Sequence, residues 1–228
     1  MIERIRTFIE IRLSEKTHLK IIESLSTLVG LLSEEGWRIK WVHPDNVHLT
    51  LRFLGNIDIS MVGVIKKEFS SLREKNAFVV RYTGMGAFPS LDSPRVIWIG
   101  VDDIQGGLAD LAKEIESKLQ ALGFEPEEKE FRPHVTVGRV NGRGRKPLTQ
   151  ILGSLREEFW GEDEVREFIF MKSVLTPKGP IHTPLWNIYL KYSSADKGFE
   201  DKIETSSDMT GNLSGVNLED KESEKTET

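Results

Sequence analysis

Two short segments, Val47-His48-Leu49-Thr50-Leu51 and Pro133-His134-Val135-Thr136-Val137, repeat one pattern in the two halves of the chain. In each, His and Thr alternate with apolar residues, the two-residue period of a strand buried on one side. His48 and Thr50 then share one face, as do His134 and Thr136. Leu49, Leu51 and Phe53, like Val135 and Val137, are expected to point into a core. A doubled strand motif requires two equivalent settings. The pattern therefore predicts two similar lobes related by a pseudo-twofold, with the two strands side by side across a cleft.

The rest of the chain fits that frame by alternating strand-like and helix-like periods. Arg6–Leu13 alternates, with Ile9, Ile11 and Leu13 on one face and Arg6, Phe8 and Glu10 on the other. Ser14 is placed to cap a helix whose apolar face is Leu19, Ile22, Leu25, Leu28 and Leu31. Strands at 38–42 and 47–54 flank the Pro44-Asp45-Asn46 turn, and a helix at 60–74 comes next. Strands are expected at 78–85 and 96–101, then a helix at 104–122 closed by Gly123. A strand at 134–140, a helix at 148–159 and strands at 165–175 and 186–192 complete the pattern. The fold class read from this order is α+β: one bilobal domain, residues 1–192, with mixed or antiparallel sheets lining a central cleft and helices outside.

Charge separates that body from the C-terminal segment. The chain of 228 residues carries net charge −5, which taken whole disfavours a nucleic-acid partner. Residues 193–228, however, hold ten acids against four bases, so the first 192 residues carry 27 bases and 26 acids, a net of +1. The acidic segment is too polar to offset its ordering entropy and is expected to be a disordered tail. No apolar run approaches the ~18 residues of a membrane span, so no membrane partner is expected. The start, Met1–Arg6, lacks the apolar stretch of a secretion signal, and no Cys is present. Both suit a cytoplasmic setting.

Imidazole is the side chain that titrates near neutrality, so two opposed His form an acid–base pair, one taking a proton and the other giving one. The Thr hydroxyls between them can donate to non-bridging phosphoryl oxygens. In-line displacement at phosphorus, water attacking and a ribose oxygen leaving, fits this set without a metal. A strained 2′,3′-cyclic phosphate is a suitable substrate. No Asp, Glu or Cys lies on the two His-Thr faces to complete a metal site, so no metal or other cofactor is expected. The residues alone leave the direction of proton transfer open.

Val42-His43-Pro44-Asp45-Asn46-Val47-His48-Leu49-Thr50-Leu51-Arg52-Phe53-Leu54-Gly55 and Phe131-Arg132-Pro133-His134-Val135-Thr136-Val137-Gly138-Arg139-Val140 resemble the paired signatures of the two-histidine (2H) phosphoesterases. More narrowly, they resemble the RNA 2′,3′-cyclic phosphodiesterases, also called 2′-5′ RNA ligases. Gly84–Pro89 with Pro94–Trp98, and Ser173–Pro177 with Gly179-Pro180, support the likeness, which spans about residues 4–190. It implies metal-free hydrolysis of RNA 2′,3′-cyclic phosphate ends to 2′-phosphomonoesters, and a reverse 2′-5′ joining activity on tRNA-like ends. His48 takes the role of proton donor and His134 that of acceptor. The family usually carries Tyr where His182 stands. A noncatalytic RNA-end binder and a phosphodiesterase of a small cyclic nucleotide are the competing readings.

For substrate contacts, Arg139 resembles the family's phosphate-binding Arg. Strict alternation turns it away from Thr136, so a bulge at Gly138 is required. Phe8 is placed to stack on a base, Arg52 to add positive potential on the His48 face, and Arg132 to lie beside His134. From Phe131 to Arg156 there are six bases and no acid. Its glycine-containing stretch 141–146 is expected to track a phosphodiester backbone. Trp41, Trp98 and Trp186 read as core, and the chain as a monomer.

Overall fold

The doubled motif becomes two halves of one antiparallel sheet. The computed structural model describes residues 3–177 and 179–191; the acidic segment 193–228 lies outside the described residues. Nine strands are formed there: β1 (Arg4–Ile11), β2 (Arg38–Trp41), β3 (Leu49–Asp58), β4 (Phe78–Phe88), β5 (Val96–Asp102), β6 (His134–Gly142), β7 (Phe159–Val165), β8 (Glu167–Thr176) and β9 (Gly179–Tyr189). The α-helices are α1 (Glu15–Glu34), α2 (Met61–Glu68), α3 (Gly107–Ala121) and α4 (Leu148–Leu152). None is long and apolar enough to cross a membrane.

The strand order is β7-β4-β5-β6-β3-β1-β8-β9. At its centre β3 and β6 meet through one residue pair, Leu49 with Val135. The halves β9-β8-β1-β3 and β7-β4-β5-β6 mirror each other about that pair, each ending on its His-x-Thr strand. This is the pseudo-twofold read from the sequence, with every ladder antiparallel rather than mixed. The short β2 continues the line of β3 along the same side of β6, pairing with Gly138–Gly142.

Ile9, Leu49, Val135, Ile97 and Ile99 join residues of α1 and α3 in one large buried cluster. The side chains on the opposite face of β1 and β8, Phe8, Ile169 and Met171, form a small separate cluster. One face of the sheet is thus covered by helices, while the other is left to carry the site.

Ser14 caps α1, its Oγ accepting from Thr17 N at 3.2 Å. Both it and the Thr17 hydroxyl donate at 2.6 Å to Asp163 on β7, which ties this helix start to the sheet edge. The buried stripe of α1 is Ile21, Leu25, Leu28 and Leu32, whereas Leu19 and Leu31 are exposed. The helix is rotated from the expected face because Thr17, held by Asp163, takes an inward position. The helix expected over 148–159 stops at Leu152, turns once through Gly153–Leu155, and gives way to β7 from Phe159. There, pairing with β4 and burial of Trp160 override the helical period.

Candidate active site

Each His-x-Thr strand carries a bulge immediately after its Thr. In the β1–β3 ladder, Glu10 pairs with Thr50 and Ile9 with Arg52, so Leu51 has no partner. In the β5–β6 ladder, Trp98 pairs with Thr136 and Ile97 with Gly138, so Val137 has none. An extra residue reverses the side on which the next residues lie. Phe53 therefore joins Thr50 on the open face, and Arg139 joins Thr136. The bulge that Arg139 requires is present, one residue earlier than the sequence placed it.

Both histidines are anchored in the same way. His48 Nδ1 donates to the carbonyl of Asn46 at 2.8 Å, and His134 Nδ1 to the carbonyl of Arg132 at 2.7 Å. A carbonyl only accepts, so each neutral ring carries its proton on Nδ1 and leaves Nε2 as the nitrogen with a lone pair to accept a proton. Thr50 Oγ1 lies 3.0 Å from His48 Nε2 and donates to it. The Asn46 side chain bonds Pro180 O at 3.0 Å, tying this anchor to β9. Beside His134, the Phe88 ring stands edge-on at 5.0 Å, and Trp98 lies 5.2 Å from Phe88. Trp98 thus borders the site instead of filling the core, whereas Trp186 is buried against Phe170.

The pseudo-twofold is broken beside His48. Glu10, only 3% exposed, occupies the place next to Thr50 that Trp98 occupies next to Thr136. Its Oε2 is 3.5 Å from His48 Nδ1, and its Oε1 accepts from Arg12 Nε at 3.2 Å. His182 on β9 stands edge-on to His48 at 5.5 Å. Burial pushes the Glu10 carboxyl up and the His48 imidazole down to about 4, the latter aided by the Arg12 guanidinium and opposed by the bond to Asn46 O. Burial likewise lowers His182. Burial thus leans this cluster toward its neutral forms.

Several expectations change here. The sequence put no carboxylate on the two motif faces, but Glu10, from the neighbouring strand, sits between His48 and His182. Ligand atoms of these three residues lie within 4.8 Å of one another and could hold a divalent cation. A metal there would occupy His48, the residue assigned to proton transfer. Phe8 is 2% exposed and packed by His48, His182 and Phe53, so it is the floor under His48 and has no face left for a base. Phe53 shares that floor at 5.7 Å and is 52% exposed; strict alternation, which the bulge breaks, had sent it into the core.

Arg52 is turned by the same bulge toward the helix-covered side. There Nε bonds Glu116 at 2.8 Å and Nη1 bonds Glu127 at 2.5 Å, so its charge is spent on α3 and the loop after it. Arg132 serves His134 through its carbonyl, while its exposed guanidinium lies 3.8 Å from Glu130. The basic loop is pinned as well. Lys146 bonds Glu35 at 2.6 Å, Arg145 reaches the carbonyl of Glu34, and Arg143 bonds Asp92 O at 2.6 Å. These cations hold the end of α1 and the β4–β5 connection. Glu10 was legible as a charge on the cleft side of β1, and Phe53 only to a reader who knew the bulge.

The description "LigT like Phosphoesterase" fits residues 20–98 and 99–182 of this chain, and each segment contains one His-x-Thr motif. An RNA 2′,3′-cyclic phosphodiesterase of Aquifex aeolicus is 40% identical over 153 residues, 66% of this chain and 81% of that protein. The Archaeoglobus fulgidus protein of the same name is 37% identical over 180 residues, 79% of this chain and 97% of its own length. The crystal structure of E. coli LigT with 3′-AMP superposes with a TM-score of 0.67 at 26% identity, covering 83% of this chain and 99% of that one. With most of its length matched by that family in two segments, each carrying one His-x-Thr motif, this chain belongs to the LigT-like phosphoesterase family.

Proposed function

We propose that the protein hydrolyses RNA 2′,3′-cyclic phosphate ends to 2′-phosphomonoesters by two-histidine general acid–base catalysis. The observation that carries this reading is the matched anchoring of His48 and His134, each with Nδ1 on a carbonyl and Nε2 on the side of its motif's Thr. The names of the relatives point to the same substrate class.

In the reaction, water attacks phosphorus while His134 Nε2 removes its proton. The P–O3′ bond breaks, and His48, protonated on Nε2, delivers its proton to O3′. The phosphate remains on O2′. Thr50 and Thr136 donate to the non-bridging oxygens, and Arg139 neutralises the charge that builds there. Phe53 is the aromatic surface on which the terminal base stacks. The enzyme acts as a monomer, and tRNA-like ends are within its substrate range.

His48 must be protonated to act, yet burial holds it down to about 4. A bound phosphodiester anion favours the imidazolium and raises it again. kcat/KM reports the free enzyme and kcat the complex. The basic limb of kcat is therefore expected at higher pH than the basic limb of kcat/KM. Coincident limbs would remove His48 from the acid role.

The direct test is turnover of an oligonucleotide ending in a 2′,3′-cyclic phosphate, with EDTA present throughout. Full activity in EDTA is expected. Tight binding without turnover would instead make the protein an RNA-end binder.

A further inference from the structure

We propose that Arg38 and Lys40 on β2, which continue from Arg139 on β6, form a second phosphate subsite that holds the RNA backbone next to the terminal nucleotide. This deepens the catalytic reading above by selecting oligonucleotides over cyclic mononucleotides, and it rests on that reading for its substrate.

The register places the three cations. Arg139 pairs with Val96 on one side and with Lys40 on the other. Val96 and Trp98 share a face of β5, and Trp98 borders His134 through Phe88. Directly paired residues of an antiparallel ladder point to the same side. Lys40 and Arg139 therefore project on the site side, and Arg38, two residues from Lys40, projects with them. The alternate residues Ile39 and Trp41 go the other way, against Gly138, where a Cβ would stand 2.8 Å from Ile39 Cγ2.

Charge gives the ligand. Arg38, Lys40 and Arg139 are all exposed, and among the described residues none makes an ion pair. Like charges directly opposite in a ladder are destabilising unless an anion lies between them. The contrast with nearby cations is the decisive point. Arg52, Arg145 and Lys146 are each committed to carboxylates, whereas this cross-strand pair faces open solvent next to Thr136. Gly142 leaves room for the Arg38 guanidinium, since a Cβ there would stand 2.5 Å from its Nε. A row of unpaired cations leading away from the reacting phosphate matches the spaced charges of a single RNA strand.

The experiment compares an oligoribonucleotide ending in 2′,3′-cyclic phosphate with adenosine 2′,3′-cyclic phosphate, for wild type and for Arg38→Ala/Lys40→Ala. The double variant is expected to lower kcat/KM for the oligonucleotide by about tenfold or more, chiefly through KM. The mononucleotide is expected to lose much less, so the ratio of the two changes. The log–log salt dependence of oligonucleotide binding should flatten by about 0.7 for each single-strand contact removed. Lys40→Arg, which keeps the charge, restores the wild-type ratio. Equal losses on both substrates, or an unchanged salt slope, overturn the subsite. Anisotropy with a 2′-phosphate-ended oligonucleotide reads the same contacts without turnover. If wild type turns over neither substrate, the catalytic reading fails while the subsite remains measurable.

Discussion

Replacing His134 by Ala is expected to lower kcat by about 10²–10⁴-fold, the range for loss of a positioned general base, with the thermal midpoint close to wild type. Its ring touches the Phe88 edge and one backbone carbonyl, so little packing is lost. His48→Ala is expected to cost a similar factor but also some stability, because that ring packs on Phe8 and His182. Steady-state kinetics beside a thermal melt separates the two contributions. The two losses should not add in the double variant, because the groups act in one concerted displacement. Retention of a tenth or more of wild-type kcat in either single variant would exclude proton transfer by that residue.

Thr50→Val and Thr136→Val are expected to reduce kcat by about 10²–10³-fold each, the usual consequence of removing one preorganised donor to a developing oxyanion. Val keeps the shape and deletes only the hydroxyl. In the free enzyme Thr50 Oγ1 donates to His48 Nε2, so that bond must break as the phosphate arrives and the hydroxyl turns to it. Thr50→Ser retains the donor and is expected to stay within about tenfold of wild type on the same grounds. A Val variant as fast as wild type beside a slow Ser variant would show that the methyl group, not the hydroxyl, matters.

The strongest sequence signal was the period-two placement of His48, Thr50, His134 and Thr136, and its repetition foretold the halves about the Leu49–Val135 pair. What strict alternation missed came from the two bulges. A single unpaired residue at Leu51 sent Arg52 to α3 and brought Phe53 to the open face. The same event at Val137 put Arg139 on the face of Thr136. Charge was readable residue by residue, but the partners of each charge were not. The loop 141–146 carries the obvious cations, yet Glu35 and nearby carbonyls claim them. Lys40, one unremarkable base in a four-residue strand, became informative only when its pairing with Arg139 was known. Glu10 was likewise visible on β1, but its approach to His48 depends on a ladder between segments distant in sequence.

In the proposed reaction His48 protonates the departing O3′ while His134 activates water, and the phosphate stays on O2′. Phosphorus NMR of the product from a 2′,3′-cyclic-phosphate oligonucleotide, turned over in EDTA, reads directly which P–O bond has broken. A 2′-phosphomonoester is the expected sole product; a 3′-phosphomonoester would contradict the assigned geometry.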